Sequence, residues 1–136
     1  MNKDIILAKV SIIKRCLERI KSTTLLDPSR LDDFDVQDIF VLNLQRAIQA
    51  SIDLASHLIA SEGWELPDTL KKNFDVLAIH KFISVEFAGK LKAMVGFRNI
   101  AVHDYSAIDP DILKTILVKH LDDIEKFYRS VLDHLS

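Results

Sequence analysis

The stretch "RNIAVHDY", residues 98–105, places Arg98, Asn99, His103 and Tyr105 within eight positions. Arginine binds phosphate and offsets the negative charge that develops during phosphoryl displacement. Histidine titrates near neutral pH and can serve as general base or general acid. Asn99 and the Tyr105 hydroxyl can orient a substrate or donate hydrogen bonds. These side chains suit a metal-free cleavage of RNA, in which a 2′-hydroxyl attacks the adjacent phosphate.

The sequence offers no pattern typical of a metal centre or a nucleotide-binding loop. The other four histidines are scattered over the predicted helices, and no cluster of carboxylates suitable for Mg²⁺ is evident. A single cysteine, Cys16, excludes an internal disulfide and a cysteine-based zinc site. No glycine-rich phosphate loop and no His-Glu-x-x-His motif is present. We therefore expect no metal in the site.

Helix geometry restricts how Arg98 and His103 could act together. Five helical residues turn through about 500°, which leaves these two side chains about 140° apart on a continuous helix. Asn99 and His103, four residues apart, would share a face. The helix must therefore end or loosen between Arg98 and His103, or two copies of the motif must meet. The structural alternative is an arginine that caps a helix, beside a partly buried histidine and tyrosine.

Composition predicts a single all-α domain over residues 1–136. Hydrophobic residues make up 49% of the chain and charged residues 28%, and three glycines and three prolines leave few tight turns for an all-β fold. The net charge of −2 argues against a broad nucleic-acid-binding surface but allows a local basic site. No apolar run is long enough to span a membrane, and the cysteine content fits a reducing, cytoplasmic location.

Hydrophobic periodicity predicts an antiparallel bundle of four main helices plus one short helix. Asp35, Ser84 and Asp109 are the expected N-caps of the second, fourth and last helices, and Gly63 follows the end of the second. The fourth helix is expected to end near His103. The predicted helices span residues 3–21, 35–61, 70–82, 84–103 and 109–135.

At the motif the sequence resembles a known family. "RNIAVHDY" is similar to the Arg-x(4–6)-His signature of HEPN ribonucleases. The extended form Arg-x4-His-x-Tyr, together with "LNLQRAIQASIDLASHLI" on the preceding long helix, resembles the HepT-like toxins. The similarity covers about residues 5–135, and the eight-residue motif is its specific part.

The resemblance implies a HEPN-type homodimer whose motifs face each other, and a metal-independent endoribonuclease. Arg98 and His103 would be the catalytic pair, with Asn99 in support and no cofactor needed for cleavage. A separate MntA-like nucleotidyltransferase antitoxin would use ATP to add AMP to Tyr105, since this chain carries no nucleotidyltransferase signature. The family's acidic position on the second helix matches Asp53, which could pair with Arg98.

A second interpretation is a non-catalytic helical subunit that binds substrate or scaffolds a nucleotidyltransferase. Related bundles that lack the Arg/His pair have that role, so Arg98 and His103 discriminate between the two interpretations. A purely structural bundle would leave Tyr105 and its polar neighbours unexplained. Asp53 itself lies one step from the apolar stripe of its helix, either at the rim or turned inward toward a cationic partner.

Overall fold

The computed structural model describes residues 2–135, which form helices and no β-strand. The α-helices of this part are α1 (Lys3–Thr24), α2 (Phe34–Glu62), α3 (Lys72–Ile79), α4 (Val85–His103), α5 (Pro110–Thr115) and α6 (Leu121–Leu135). Two 3₁₀ helices lie at Pro28–Asp32 and Tyr105–Ala107, and a π-helical turn, Ile116–His120, joins α5 to α6. The prediction of an all-α bundle with four main helices and a short one is confirmed.

The predicted start of the second helix was wrong by two residues. Asp33, and not Asp35, is the N-cap of α2, because its Oδ1 accepts hydrogen bonds from the backbone N–H groups of Asp35 (2.8 Å) and Val36 (3.3 Å). α1 also continues three residues past the predicted end, to Thr24, and Leu25 then adopts the left-handed conformation that ends the helix.

Three other predicted helix ends, at Gly63, Ser84 and Asp109, are confirmed by their capping contacts. Gly63 closes α2 at a φ of 70°, and the Ser84 hydroxyl accepts from the Phe87 N–H at 3.0 Å. Asp109 caps α5 by accepting from the Asp111 N–H at 2.9 Å, with Pro110 at the first helical position. α3 is shorter than expected, since the chain leaves the helix at His80 and Lys81 takes a positive φ.

The core fixes α4 against the long helix α2. α1 and α2 are antiparallel, as the contacts of Asn2 with His57 (3.2 Å) and of Lys9 with Asp53 (3.0 Å) show. α6 packs on α1, α2 and α4. The Phe74 and Phe127 rings meet edge to face at 5.4 Å within this core.

Among residues 2–135, no helix is both long and apolar enough to cross a lipid bilayer.

Candidate functional site

The motif lies at the carboxyl end of α4, and this helix is unbroken through it. α4 extends from Val85 to His103, where the Asp104 N–H still donates to the Ile100 carbonyl at 2.8 Å. The prediction that the helix ends near His103 is confirmed. Because the helix does not loosen between Arg98 and His103, these side chains leave it about 140° apart. Within one chain their Cα–Cβ bonds therefore leave the helix in different directions.

Arg98 and Asn99 form a contact of their own. The Arg98 Nη1 donates a hydrogen bond to the Asn99 Oδ1 at 3.1 Å, and both side chains are half-buried. No carboxylate in the described part of the chain forms an ion pair with Arg98. A guanidinium has five N–H donors, so most of its capacity stays open to an anionic ligand. His103, the last residue of α4, is exposed.

Tyr105 is held by a residue that the sequence did not reveal. Its hydroxyl donates to the Asp38 Oδ1 on α2 at 2.5 Å, across 67 positions of sequence. Partial burial, and then the hydrogen bond to Asp38 and the negative charge of that carboxylate, raise the pKa of Tyr105 to about 12. The residue remains 45% exposed. Asp38 thus links α2 to the motif, and its position in the sequence carried no local signal for this contact.

A hydrogen bond and an ion pair hold the segment that carries Tyr105 and the helix that follows it. The Ser106 hydroxyl donates to the Asp104 Oδ1 at 2.8 Å, which forms a compact turn after α4. Further on, Lys114 Nζ pairs with Asp32 at 2.6 Å and attaches α5 to the 3₁₀ helix before α2. The segment between α4 and α5 is therefore anchored at both ends while Tyr105 stays accessible.

Asp53 lies in a different environment from the one expected. Its Oδ2 accepts from Lys9 Nζ at 3.0 Å and its Oδ1 accepts from Gln49 Nε2 at 3.0 Å. The cationic partner of Asp53 is therefore Lys9, and no Asp53–Arg98 pair forms among residues 2–135. Asp53 stabilises the contact between α1 and α2, and a supporting role in the site stays a prediction.

An apolar groove lies beside the motif, between α4 and the helix that begins at Pro110. Its volume is about 640 Å³, and Met94, Phe97, Ile112 and Ile116 contribute apolar walls. Ile112 is 50% exposed. Phe97 directly precedes Arg98 in α4, but consecutive helical residues point about 100° apart, and none of Arg98, Asn99 and His103 lines the groove.

A second groove, between α1 and α2, is basic. Arg15, Arg19 and Arg46 line a cavity of about 470 Å³ together with the half-exposed Leu42. Burial raises the pKa of the neighbouring Cys16 thiol, and the positive charges of Arg46 and Arg15 oppose that rise. None of the three arginines forms an ion pair within the described residues. The local basic surface that the composition allowed is therefore present.

Side chains able to bind a metal do not come together in this part of the chain. No group of three or more histidine, cysteine or acidic side chains in residues 2–135 is arranged to hold a metal ion. The motif itself offers one imidazole, one guanidinium, one amide and one phenol. These four side chains together favour phosphate binding and proton transfer.

Comparison with known proteins gives consistent matches along the chain. The family model "Ribonuclease HepT-like" matches residues 13–131. The mRNA nuclease HepT of Shewanella oneidensis is 40% identical over 124 residues, which cover 91% of this chain and 93% of that protein. The tRNA nuclease HepT of Aphanizomenon flos-aquae is 30% identical over 111 residues, covering 79% and 74%. The solved structure of a tri-AMPylated Shewanella oneidensis HEPN toxin in complex with MNT antitoxin superposes with a TM-score of 0.90 at 39% identity, covering 98% of this chain and 99% of that one.

The contact between Tyr105 and Asp38 predicts an unusual phenol titration. In a Tyr128→Phe background, ultraviolet absorbance should show Tyr105 ionising with a midpoint near 12, and Asp38→Ala should move the midpoint toward the ordinary value of 10. The fold favours the neutral phenol, so this contact stabilises the protein below about pH 10 and loses its effect as pH rises through 12. Asp35→Ala is the matched control and should leave the midpoint in place. An unchanged midpoint in Asp38→Ala would contradict the assignment.

Proposed function

The chain belongs to the HepT-like family of ribonucleases, and we propose that it is a toxin that cleaves RNA and is neutralised by a nucleotidyltransferase antitoxin. One observation carries this proposal: an unbroken helix presents Arg98, Asn99 and His103 at its end, with Tyr105 directly after it. The relatives named as nucleases, and the toxin–antitoxin complex that superposes on the chain, support it.

The reaction we propose is transesterification of RNA without a metal ion or cofactor. A His103 imidazole takes the proton of the 2′-hydroxyl, whose oxygen attacks the adjacent phosphorus. Arg98 stabilises the negative charge that develops on the phosphate oxygens. The bond from phosphorus to the 5′-oxygen breaks, and that oxygen is protonated by a second imidazole. The products are a 2′,3′-cyclic phosphate and a free 5′-hydroxyl.

We assign the second imidazole to His103 of another copy of the chain, because the motif of one chain contains a single histidine. Each chain has one His103, and α4 separates it from Arg98 by about 140°. The apolar groove lined by Phe97, together with the half-exposed Ile100 one turn further along the same side of α4, offers a surface that a second copy could cover. We therefore propose a two-fold symmetric dimer in which the motifs of both chains form one cleft.

RNA as the substrate fits the charge distribution. The groove of Arg15, Arg19 and Arg46 concentrates three unpaired guanidiniums in a chain with a net charge of −2. Such a cluster favours phosphate groups through charge-assisted hydrogen bonds.

Loss of either member of the catalytic pair should abolish cleavage. We expect His103→Ala and Arg98→Ala each to lower the rate of RNA cleavage by about 10²-fold or more, because an acid/base group or a charge partner is removed. The measurement is cleavage of labelled RNA in EDTA, with the product ends identified by mass spectrometry.

Two variants serve as matched controls for this experiment. His134→Ala and Arg30→Ala remove the same residue types from exposed positions outside the motif and should retain the wild-type rate. Cleavage that survives in both motif variants, or that stops in EDTA, would refute the mechanism. A wild-type chain that binds RNA without cutting it would instead favour the non-catalytic subunit.

A cleft shared by two chains predicts recovery of activity in mixed dimers. Arg98→Ala and His103→Ala chains, each inactive alone, should regain a small part of the wild-type activity when mixed and allowed to exchange subunits. One cleft then holds one intact Arg98 and one intact His103, and water has to take the place of the second imidazole. Analytical ultracentrifugation at micromolar concentration checks the dimer independently. A monomer that is fully active would overturn this assembly.

Tyr105 is the residue at which we propose control by the antitoxin. An AMP ester there places a phosphodiester anion two residues from His103, in the cleft where RNA phosphate must reach Arg98. Co-expression with the MntA-like antitoxin should therefore add mass in AMP units to Tyr105 and suppress cleavage.

Replacement of the phenol hydroxyl tests this control. Tyr105→Phe should resist both modification and neutralisation, while Tyr128→Phe, the matched control, should behave as wild type. AMP located on another residue, or neutralisation of Tyr105→Phe to the wild-type extent, would show that control does not depend on this phenol.

A further inference from the structure

We propose that Asp38 is a catalytic residue of Tyr105 modification, supplied by the modified chain itself: it orients the phenol and accepts its proton when the oxygen is joined to AMP. This inference rests on the proposed function, because it takes Tyr105 as the modified residue. It adds a role for a side chain on a different helix, 67 positions away in sequence.

The geometry places the Asp38 carboxylate on the reacting atom. The Tyr105 hydroxyl donates directly to Asp38 Oδ1 at 2.5 Å, a short charge-assisted hydrogen bond that gives the direct contact a general base needs. Asp38 is itself exposed, and it makes no ion pair with a basic side chain among residues 2–135. Its negative charge is therefore not committed to another group.

The phenol needs such a base. With a pKa of about 12, only about one Tyr105 side chain in 10⁵ is ionised at pH 7. Transfer at neutral pH therefore has to start from the neutral phenol and remove its proton as the new bond forms. Protein kinases solve the same problem with an aspartate that accepts the proton of the substrate hydroxyl. Asp38 occupies the corresponding position relative to Tyr105.

The step balances with ATP as the co-reactant, bound by the antitoxin. The Tyr105 oxygen forms a bond to the α-phosphorus, and the bond from that phosphorus to the bridging oxygen of the β-phosphate breaks. Pyrophosphate leaves, the proton passes to Asp38, and the neutral carboxylic acid then loses it to water. A phenol oxygen can be esterified only once, so any later AMP unit on this side chain is added to the nucleotide and does not require Asp38.

Two variants of Asp38 and one control variant separate proton transfer from positioning. Asp38→Asn keeps an oxygen that can accept the Tyr105 hydrogen bond but cannot take its proton, and Asp38→Glu restores a carboxylate. The control, Asp35→Asn, removes an exposed carboxylate from the first turn of the same helix. Each full-length chain is incubated with its nucleotidyltransferase antitoxin, ATP and Mg²⁺, and the first AMP addition is followed by intact-mass spectrometry.

We expect Asp38→Asn to lower the maximal rate of the first addition by about 10²-fold or more, with little change in the KM for the toxin chain. Asp38→Glu should recover part of the rate, and Asp35→Asn should match wild type. The dependence of the rate on pH decides between proton transfer and positioning, because in Asp38→Asn only a phenol that is already ionised can react. Its rate should rise about tenfold per pH unit above neutrality, while the wild-type rate stays nearly level.

Equal rates for Asp38→Asn and wild type would overturn the inference. A lowered rate in Asp38→Asn with the same pH dependence as wild type would also overturn it, because that result indicates positioning alone. Circular dichroism and thermal unfolding verify that each variant is folded. If the wild-type chain is not modified at Tyr105 at all, the proposed control is wrong; modification at Tyr105 with no effect of Asp38 removes only the present inference.

Discussion

The continuity of α4 through the motif is the constraint on which the rest of the site depends. A helix advances 100° per residue, so a spacing of five between Arg98 and His103 directs the two side chains to different sides. Asn99 lies on the His103 face yet accepts the hydrogen bond of Arg98 at 3.1 Å, which turns the guanidinium toward that face. In the proposed mechanism one chain supplies one of the two imidazoles, and a two-fold symmetric dimer is the simplest way to supply the other.

The second determining contact joins Tyr105 to Asp38. Whether this pair attracts or repels depends on whether the phenol is free or esterified with AMP. The free phenol donates a hydrogen bond to the carboxylate. An AMP ester has no such hydrogen and brings a negative charge, so the same pair becomes repulsive. Two unit charges 4 Å apart interact by about 1 to 4 kcal/mol between the dielectric limits of water and a protein surface. In the proposed cleft, this repulsion would move the nucleotide away from Asp38 on α2 and toward the positive charge of Arg98.

The sequence was informative wherever a feature depends on neighbouring residues. Periodic apolar positions, the Asp109–Pro110 start and the end of α4 at His103 are local properties, and all were predicted. The start of α2 was misplaced because two aspartates, Asp33 and Asp35, precede the same helix, and only backbone geometry decides which one caps it. Asp38 was missed for another reason: its contact with Tyr105 depends on how α2 packs beside the end of α4. The Lys9 partner of Asp53 depends in the same way on the packing of α1 against α2.

The position of Tyr105 outside α4 is compatible with both roles proposed for it, as part of the shared cleft and as the target for modification. The buried face of α4 ends at Ala101, and the 3₁₀ turn Tyr105–Ala107 contains no buried residue. Movement of this turn exposes no core surface, and segments with few buried contacts open at low free-energy cost. A bulky anionic group on Tyr105 can thus be accommodated by a local shift between α4 and α5. The proposed neutralisation therefore requires no unfolding of the bundle, and the helix that carries Arg98 and His103 keeps its place against α2.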